Sequence, residues 1–110
     1  MGYTARQVES SIFIAKEDVE RLGETLEDEH AWGWQLFRNE NGDVVELYFV
    51  GEKPNHGDVE FLKSIAPYAK DNSFVELVGE DGLRWRWVIR GKEVWEQLPD
   101  IKWKTTHGPL

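Results

Sequence analysis

The segment Gly82-Leu83-Arg84-Trp85-Arg86-Trp87-Val88-Ile89-Arg90-Gly91-Lys92 limits this fold more than any other stretch of the chain. Apolar and basic residues alternate along it with a period of two, the pattern of a strand with one face in a core. Leu83, Trp85, Trp87 and Ile89 share one face, and Arg84, Arg86, Val88 and Arg90 share the other. Burying two adjacent indoles on one strand needs a sheet backed by further apolar layers. That requirement points to a domain with a real core.

The rest of the chain supplies those layers. Ser11–Ile14, led in by Val8, reads as a short strand, and Lys16 to about Glu29 as a helix with Val19, Leu22 and Leu26 on one stripe. Glu17 stands four residues before Arg21, the favourable order for a helical ion pair. Ala31–Phe37 and Val44–Val50 read as a hairpin around Asn39-Glu40-Asn41-Gly42-Asp43, with Trp32, Trp34 and Leu36 on one face. Asp58 is expected to cap a helix through Val59, Leu62, Ile65 and Ala66, ended near Pro67. Phe74–Val78 then enters the Arg/Trp strand through Gly79-Glu80-Asp81-Gly82, and Glu93–Gln97 follows the turn at Gly91. Leu98-Pro99-Asp100 breaks that strand. Ile101-Lys102-Trp103 would add a last short one before a frayed tail over 104–110.

The order β-α-β-β-α-β-β-β predicts an α+β fold. Its first six elements match the ferredoxin-like β-α-β-β-α-β pattern, and a C-terminal hairpin is added to them. The expectation is a mainly antiparallel sheet covered by two helices on one face, in a single domain over residues 1–110.

Charge is distributed unevenly. Residues 1–60 carry 14 acids against 5 bases, whereas residues 61–110 carry 7 against 8, so the whole excess behind the net charge of −8 lies in the first half. Phosphates would meet a repulsive field there, which disfavours nucleic-acid binding, while a basic protein would be attracted. Glu17, Glu20, Glu24 and Asp28 recur at helical spacing, and Glu27-Asp28-Glu29 closes the same helix at its negative end, where acids are unfavourable. A purely structural helix would not place them there. These six residues are the candidate partner-binding surface; a solvated face is the plainer reading. The Arg84/Arg86/Arg90 strip is the alternative binding surface, although Glu76 and Glu93 on neighbouring strands stand where they could neutralise it. The aromatics of that strand are expected on the face opposite the arginines, which weakens a base-stacking role.

No enzyme chemistry is legible. His30, His56 and His107 are scattered without metal-ligand spacing, there is no cysteine, and no serine sits in a nucleophile elbow. No Walker A or GxGxxG run is present, so neither a metal nor another cofactor is expected. No apolar run approaches membrane-spanning length and the N-terminus does not read as a signal peptide, which makes a cytoplasmic protein the expectation.

The run Phe61-Leu62-Lys63-Ser64-Ile65-Ala66-Pro67-Tyr68, followed by Phe74-Val75-Glu76-Leu77, Gly79-Glu80-Asp81-Gly82 and Trp85-Arg86-Trp87, resembles a group of small proteins encoded by bacteriophages, mobile elements and bacterial genomes. The opening Met-Gly-Tyr and the short strand near Ile12 are also similar. The resemblance implies a phage or mobile-element setting and brings no activity, ligand or catalytic residue with it. Joined to the charge argument, it leads to a non-enzymatic acidic protein that binds and inhibits a basic nucleic-acid-handling or defence protein of the host, of the anti-CRISPR or DNA-mimic type. The alternative is a small ligand- or nucleic-acid-binding module on the Arg84/Arg86/Arg90 strip.

Overall fold

A computed structural model describes residues 3–23, 33–51, 53–100 and 104–109. It is an α+β structure with mostly antiparallel strands: β1 (Ala5–Ser11), α1 (Lys16–Arg21), β2 (Trp34–Arg38), β3 (Val44–Phe49), α2 (His56–Ile65), β4 (Ser73–Gly79), β5 (Arg84–Arg90) and β6 (Glu93–Gln97). Four strands form one sheet in the order β1-β4-β5-β6, and β2 pairs with β3 in a second. Every ladder among the described residues is antiparallel.

The sheets come together where β1 runs beside β3, but no continuous ladder joins them. Contact is made by an antiparallel bridge between Ile14 and Val44 and by the side chain of Gln7. The Gln7 amide donates to the Leu47 carbonyl at 3.0 Å, and its oxygen accepts the Phe49 N–H at 2.8 Å. One side chain thus takes over a donor and an acceptor that a neighbouring strand would have supplied. This explains why the first strand lies earlier than its sequence suggests. Ala5–Ser11 is polar and lacks clear alternation, and a bulge at Val8 interrupts it. The apolar Ile12 and Ile14, which read as strand, are buried in the segment that follows.

The interior is one contiguous cluster. It joins Val19 and Leu22 of the first helical segment and Phe61, Leu62, Ile65 and Ala66 from α2 to Val75, Leu77, Trp85, Trp87 and Ile89 of the large sheet and Trp34, Val44, Leu47 and Phe49 of the hairpin. Trp34 is its aromatic hub, with ring centroids 5.2 Å from Phe49, 5.5 Å from Phe61 and 6.4 Å from Trp87. The expected inward face of β5 holds for Trp85, Trp87 and Ile89, but Leu83 precedes the strand and is exposed. Trp32 and the last predicted strand, Ile101–Trp103, lie outside the described residues.

Both helices begin on side chains supplied by polar neighbours. Ala15 at the start of α1 has nothing to cap with, so Asp43 from the β2–β3 turn accepts the Lys16 N–H at 2.8 Å. In α2 the cap is Asn55, not Asp58: Asn55 Oδ1 accepts from the Gly57 N–H at 2.7 Å, and Asp58 Oδ2 accepts the Asn55 N–H at 2.8 Å. Asp58 is the reciprocal member of a capping box. Its second oxygen accepts the Trp34 indole N–H at 2.9 Å inside the core.

Candidate interaction surfaces

The acidic surface starts from α1. Glu17 and Glu20 are exposed, and among the described residues neither has an ion-pair partner. The sequence pairs Glu17 with Arg21, but Arg21 instead approaches Asp18 at 3.8 Å, one residue closer along the helix. Glu24, Glu27, Asp28 and Glu29 lie outside the described residues.

The arginine strip is built by β4 and β5 in register. Glu76 stands opposite Arg86 and receives two arginines: Arg86 Nε at 2.7 Å and Arg84 at 3.5 Å. Arg86 also reaches Glu9 of β1 at 4.0 Å, and its guanidinium lies 4.3 Å above the Phe74 ring. Glu76 is therefore the neutralising acid that the sequence suggested. Glu93 is not: it faces Arg90 in the ladder, yet Arg90 donates to Asn72 Oδ1 at 3.0 Å. The strip is partly neutralised, since two of its three cations share one carboxylate, while Arg90 is held by a neutral amide.

One element of this face was missed in the sequence. Trp95 is 54% exposed and lies on the arginine side of the sheet, not in the core. Register places Phe74 opposite Val88 and Val88 opposite Trp95, an apolar row between the charged rows. The row leaves Val88 only 4% exposed although it points away from the main core. The signal was present in the turn length. A two-residue connection at Gly91-Lys92 makes Arg90 face Glu93, so odd-numbered residues of β6 share a face with even-numbered residues of β5. Glu76, Arg84, Arg86, Gln97, Leu98 and Pro99 line an open groove of about 320 Å³ beside this row.

A second open groove, of about 380 Å³, follows the gap between β1 and β3 and is lined by Val8, Glu9, Val45, Glu46 and Tyr48. No group of three or more metal-ligating side chains occurs among the described residues. His56 lies 3.2 Å from Glu60 on the exposed first turns of α2, His107 is exposed in the tail, and His30 is outside the described residues. Among the described residues, no helix is long and apolar enough to cross a membrane.

At the end of the large sheet Tyr3 covers Trp85, with ring centroids 6.3 Å apart, and donates its hydroxyl to Asp81. That bond, with some desolvation and the adjacent charges of Asp81 and Glu80, pushes the Tyr3 pKa up to about 12. The same bond, together with the Leu83 N–H, holds the Asp81 carboxyl below its ordinary value. Gly79 leaves the room: a Cβ there would fall 1.5 Å from the Tyr3 hydroxyl oxygen.

No family model, curated protein or solved structure matches this chain.

Proposed function

We propose that this chain is a non-enzymatic interaction protein that uses its acidic first half to bind and inhibit a basic protein, and that the setting is a phage or mobile element acting on a nucleic-acid-handling or defence protein of its host. The observation that carries the reading is an imbalance in how charges are satisfied. Arg84 and Arg86 are held by Glu76 of the same molecule, whereas Glu17 and Glu20 face solvent without a cation among the described residues. Carboxylates left without an internal partner on a chain of net charge −8 favour encounter with a basic surface. The resemblance of the C-terminal region supports the phage setting. A ferredoxin-like path, with both helices on one side, is the fold reading that goes with it. It is supported by the position of β1, which ladders with β4 and meets β3 through the side chain of Gln7.

The test is capture from a bacterial lysate at low and at high salt, with the full chain and with its E17K/E20K/E24K variant. Basic proteins that bind the parent at low salt, leave at high salt and ignore the variant support the reading. Equal capture by the variant rejects the acidic surface. The second reading, a nucleic-acid or small-ligand module on Arg84, Arg86 and Arg90, is favoured by one observation, the exposed Trp95 on their face. Titration with a single-stranded oligonucleotide, followed by tryptophan fluorescence at moderate salt, separates the two. A saturable change selects the second.

A further inference from the structure

At the β6 edge of the large sheet, the guards against edge pairing are its shortness and the charges of Glu93 and Glu96. Among the described residues no strand pairs with its outer side. Its register with β5 has no bulge, it contains neither Lys nor Pro, and the first proline, Pro99, comes two residues after its end. Large apolar side chains stand exposed there instead, Trp95 and, just beyond the strand, Leu98 at 65%.

The backbone groups available on that edge follow from the turn. Gly91 and Lys92 both have positive φ, 57° and 65°, which makes a two-residue hairpin whose closing pair, Arg90 with Glu93, is hydrogen-bonded. Alternation then directs the N–H and C=O of Glu93, Trp95 and Gln97 toward β5, and those of Val94 and Glu96 outward.

We infer that β6 pairs antiparallel with β6 of a second copy of this chain, about a two-fold axis at Trp95, to form one continuous eight-stranded sheet. In this register Val94 and the second copy's Glu96 exchange both backbone hydrogen bonds, and the symmetry repeats the exchange. Trp95 then faces Trp95 of the second copy in a non-hydrogen-bonded pair, the closer kind for side chains. The row Phe74-Val88-Trp95 continues across the axis as Trp95-Val88-Phe74. Charges agree as well. The row Glu76-Arg86-Gln97 runs into the second copy's Glu93-Arg90, so a carboxylate meets an amide with arginines on either side. In-register parallel pairing would set Glu93 and Glu96 against themselves. A shift of two residues toward Pro99 would set Glu96 against Glu96. A shift of two residues the other way would set Glu96 against Lys92, whose φ of 65° in the turn offers no extended partner for its outward groups. Of these registers the first satisfies the outward groups of both copies without opposing like charges.

This dimer is independent of the acidic-surface reading, and salt separates the two. Two chains of net charge −8 repel, so screening strengthens self-association, whereas it weakens capture of a basic partner. The full chain is followed by sedimentation from micromolar to millimolar concentration at low and high salt. A shift from monomer to dimer that grows with salt is expected. Glu96→Pro removes an N–H that β5 does not use, and should weaken association about thirtyfold, two hydrogen bonds of ordinary strength. Its circular dichroism should match the parent, because proline is tolerated at such edge positions. The register is read by cysteine pairs, unambiguous in a chain without cysteine. Oxidation of mixed E93C and Q97C proteins should give a crosslinked dimer, since Cα atoms of such a pair lie about 4.5 Å apart. Either variant alone should not crosslink, its cysteines standing about 13 Å apart along the strands. A monomer at every concentration, or crosslinking of each variant alone as readily as the mixture, overturns the inference.

Discussion

Replacing Asp58 by alanine should cost more stability than any other single carboxylate change among the described residues. Asp58 is 4% exposed and serves two elements at once. One oxygen accepts the Trp34 indole N–H at 2.9 Å, and the other accepts the Asn55 N–H at 2.8 Å at the start of α2. Alanine leaves the indole donor unpaired in the core, at about 1–3 kcal/mol, and removes half of a capping box, at about 1 kcal/mol. The sum, about 3 kcal/mol, is a large share of the roughly 5–15 kcal/mol that holds a domain together. It should lower the melting temperature by about 10–20 °C for a chain of this size. Asparagine keeps an acceptor for the indole but turns an amide N–H₂ toward the Asn55 donor, so Asp58→Asn should recover only part of the loss. Urea unfolding followed by tryptophan fluorescence and circular dichroism measures all three proteins. The double-mutant cycle with Trp34→Phe isolates the shared hydrogen bond, because phenylalanine keeps the stack on Phe61 and loses the donor. A coupling of about 1–2 kcal/mol is expected for a bond to a buried carboxylate. Zero coupling, or a loss below about 1 kcal/mol for Asp58→Ala, would refute the reasoning that this carboxylate ties the hairpin to α2.

Gln7→Ala should strand the Leu47 carbonyl and the Phe49 N–H and destabilise by about 1–3 kcal/mol in the same assay, whereas a surface glutamine would give less than about 0.5. Tyr3 should titrate near 12 in an alkaline absorbance scan, and Asp81→Asn should return it toward 10. The sign for stability follows from both shifts. The raised Tyr3 pKa contributes stability that is full below about 10 and is lost as pH rises toward about 12, and the lowered Asp81 pKa contributes stability that is lost as pH falls through the acidic range below 3.8. Gly79→Ala should abolish the late tyrosine titration by displacing the Tyr3 ring; an unchanged titration curve would contradict the close approach seen there.

Local chemistry decided how much of this could be read from the chain. Turns were legible because they need particular residues: Asn41-Gly42, Asp81-Gly82 and Gly91 each sit where φ is positive in or beside a turn. The inward indoles of β5 were legible because alternation is a direct imprint of burial. β1 was not, since its pairing toward β3 relies on the side chain of Gln7, and polar Ala5–Ser11 carries no periodic signal. Asp58 was recognised as part of a helix start but misplaced as its cap by three residues, because Asn55 and Asp58 are chemically interchangeable there until the Trp34 contact separates them. The orientation of Trp95 required counting across a hairpin. The acidic helix was legible as a pattern, and its described part, Glu17 and Glu20, is solvent-facing as the pattern implies.

The central claim is that the molecule works through carboxylates on its outside, at the α1 end. Backbone amide shift mapping of the ¹⁵N-labelled full chain, with the partner captured at low salt, tests it most directly. Perturbations concentrated from Glu17 through the acidic residues that follow, and fading as salt is raised, are the expected result. Shifts confined to β5 and β6 around Arg86 and Trp95, with α1 unmoved, would contradict it.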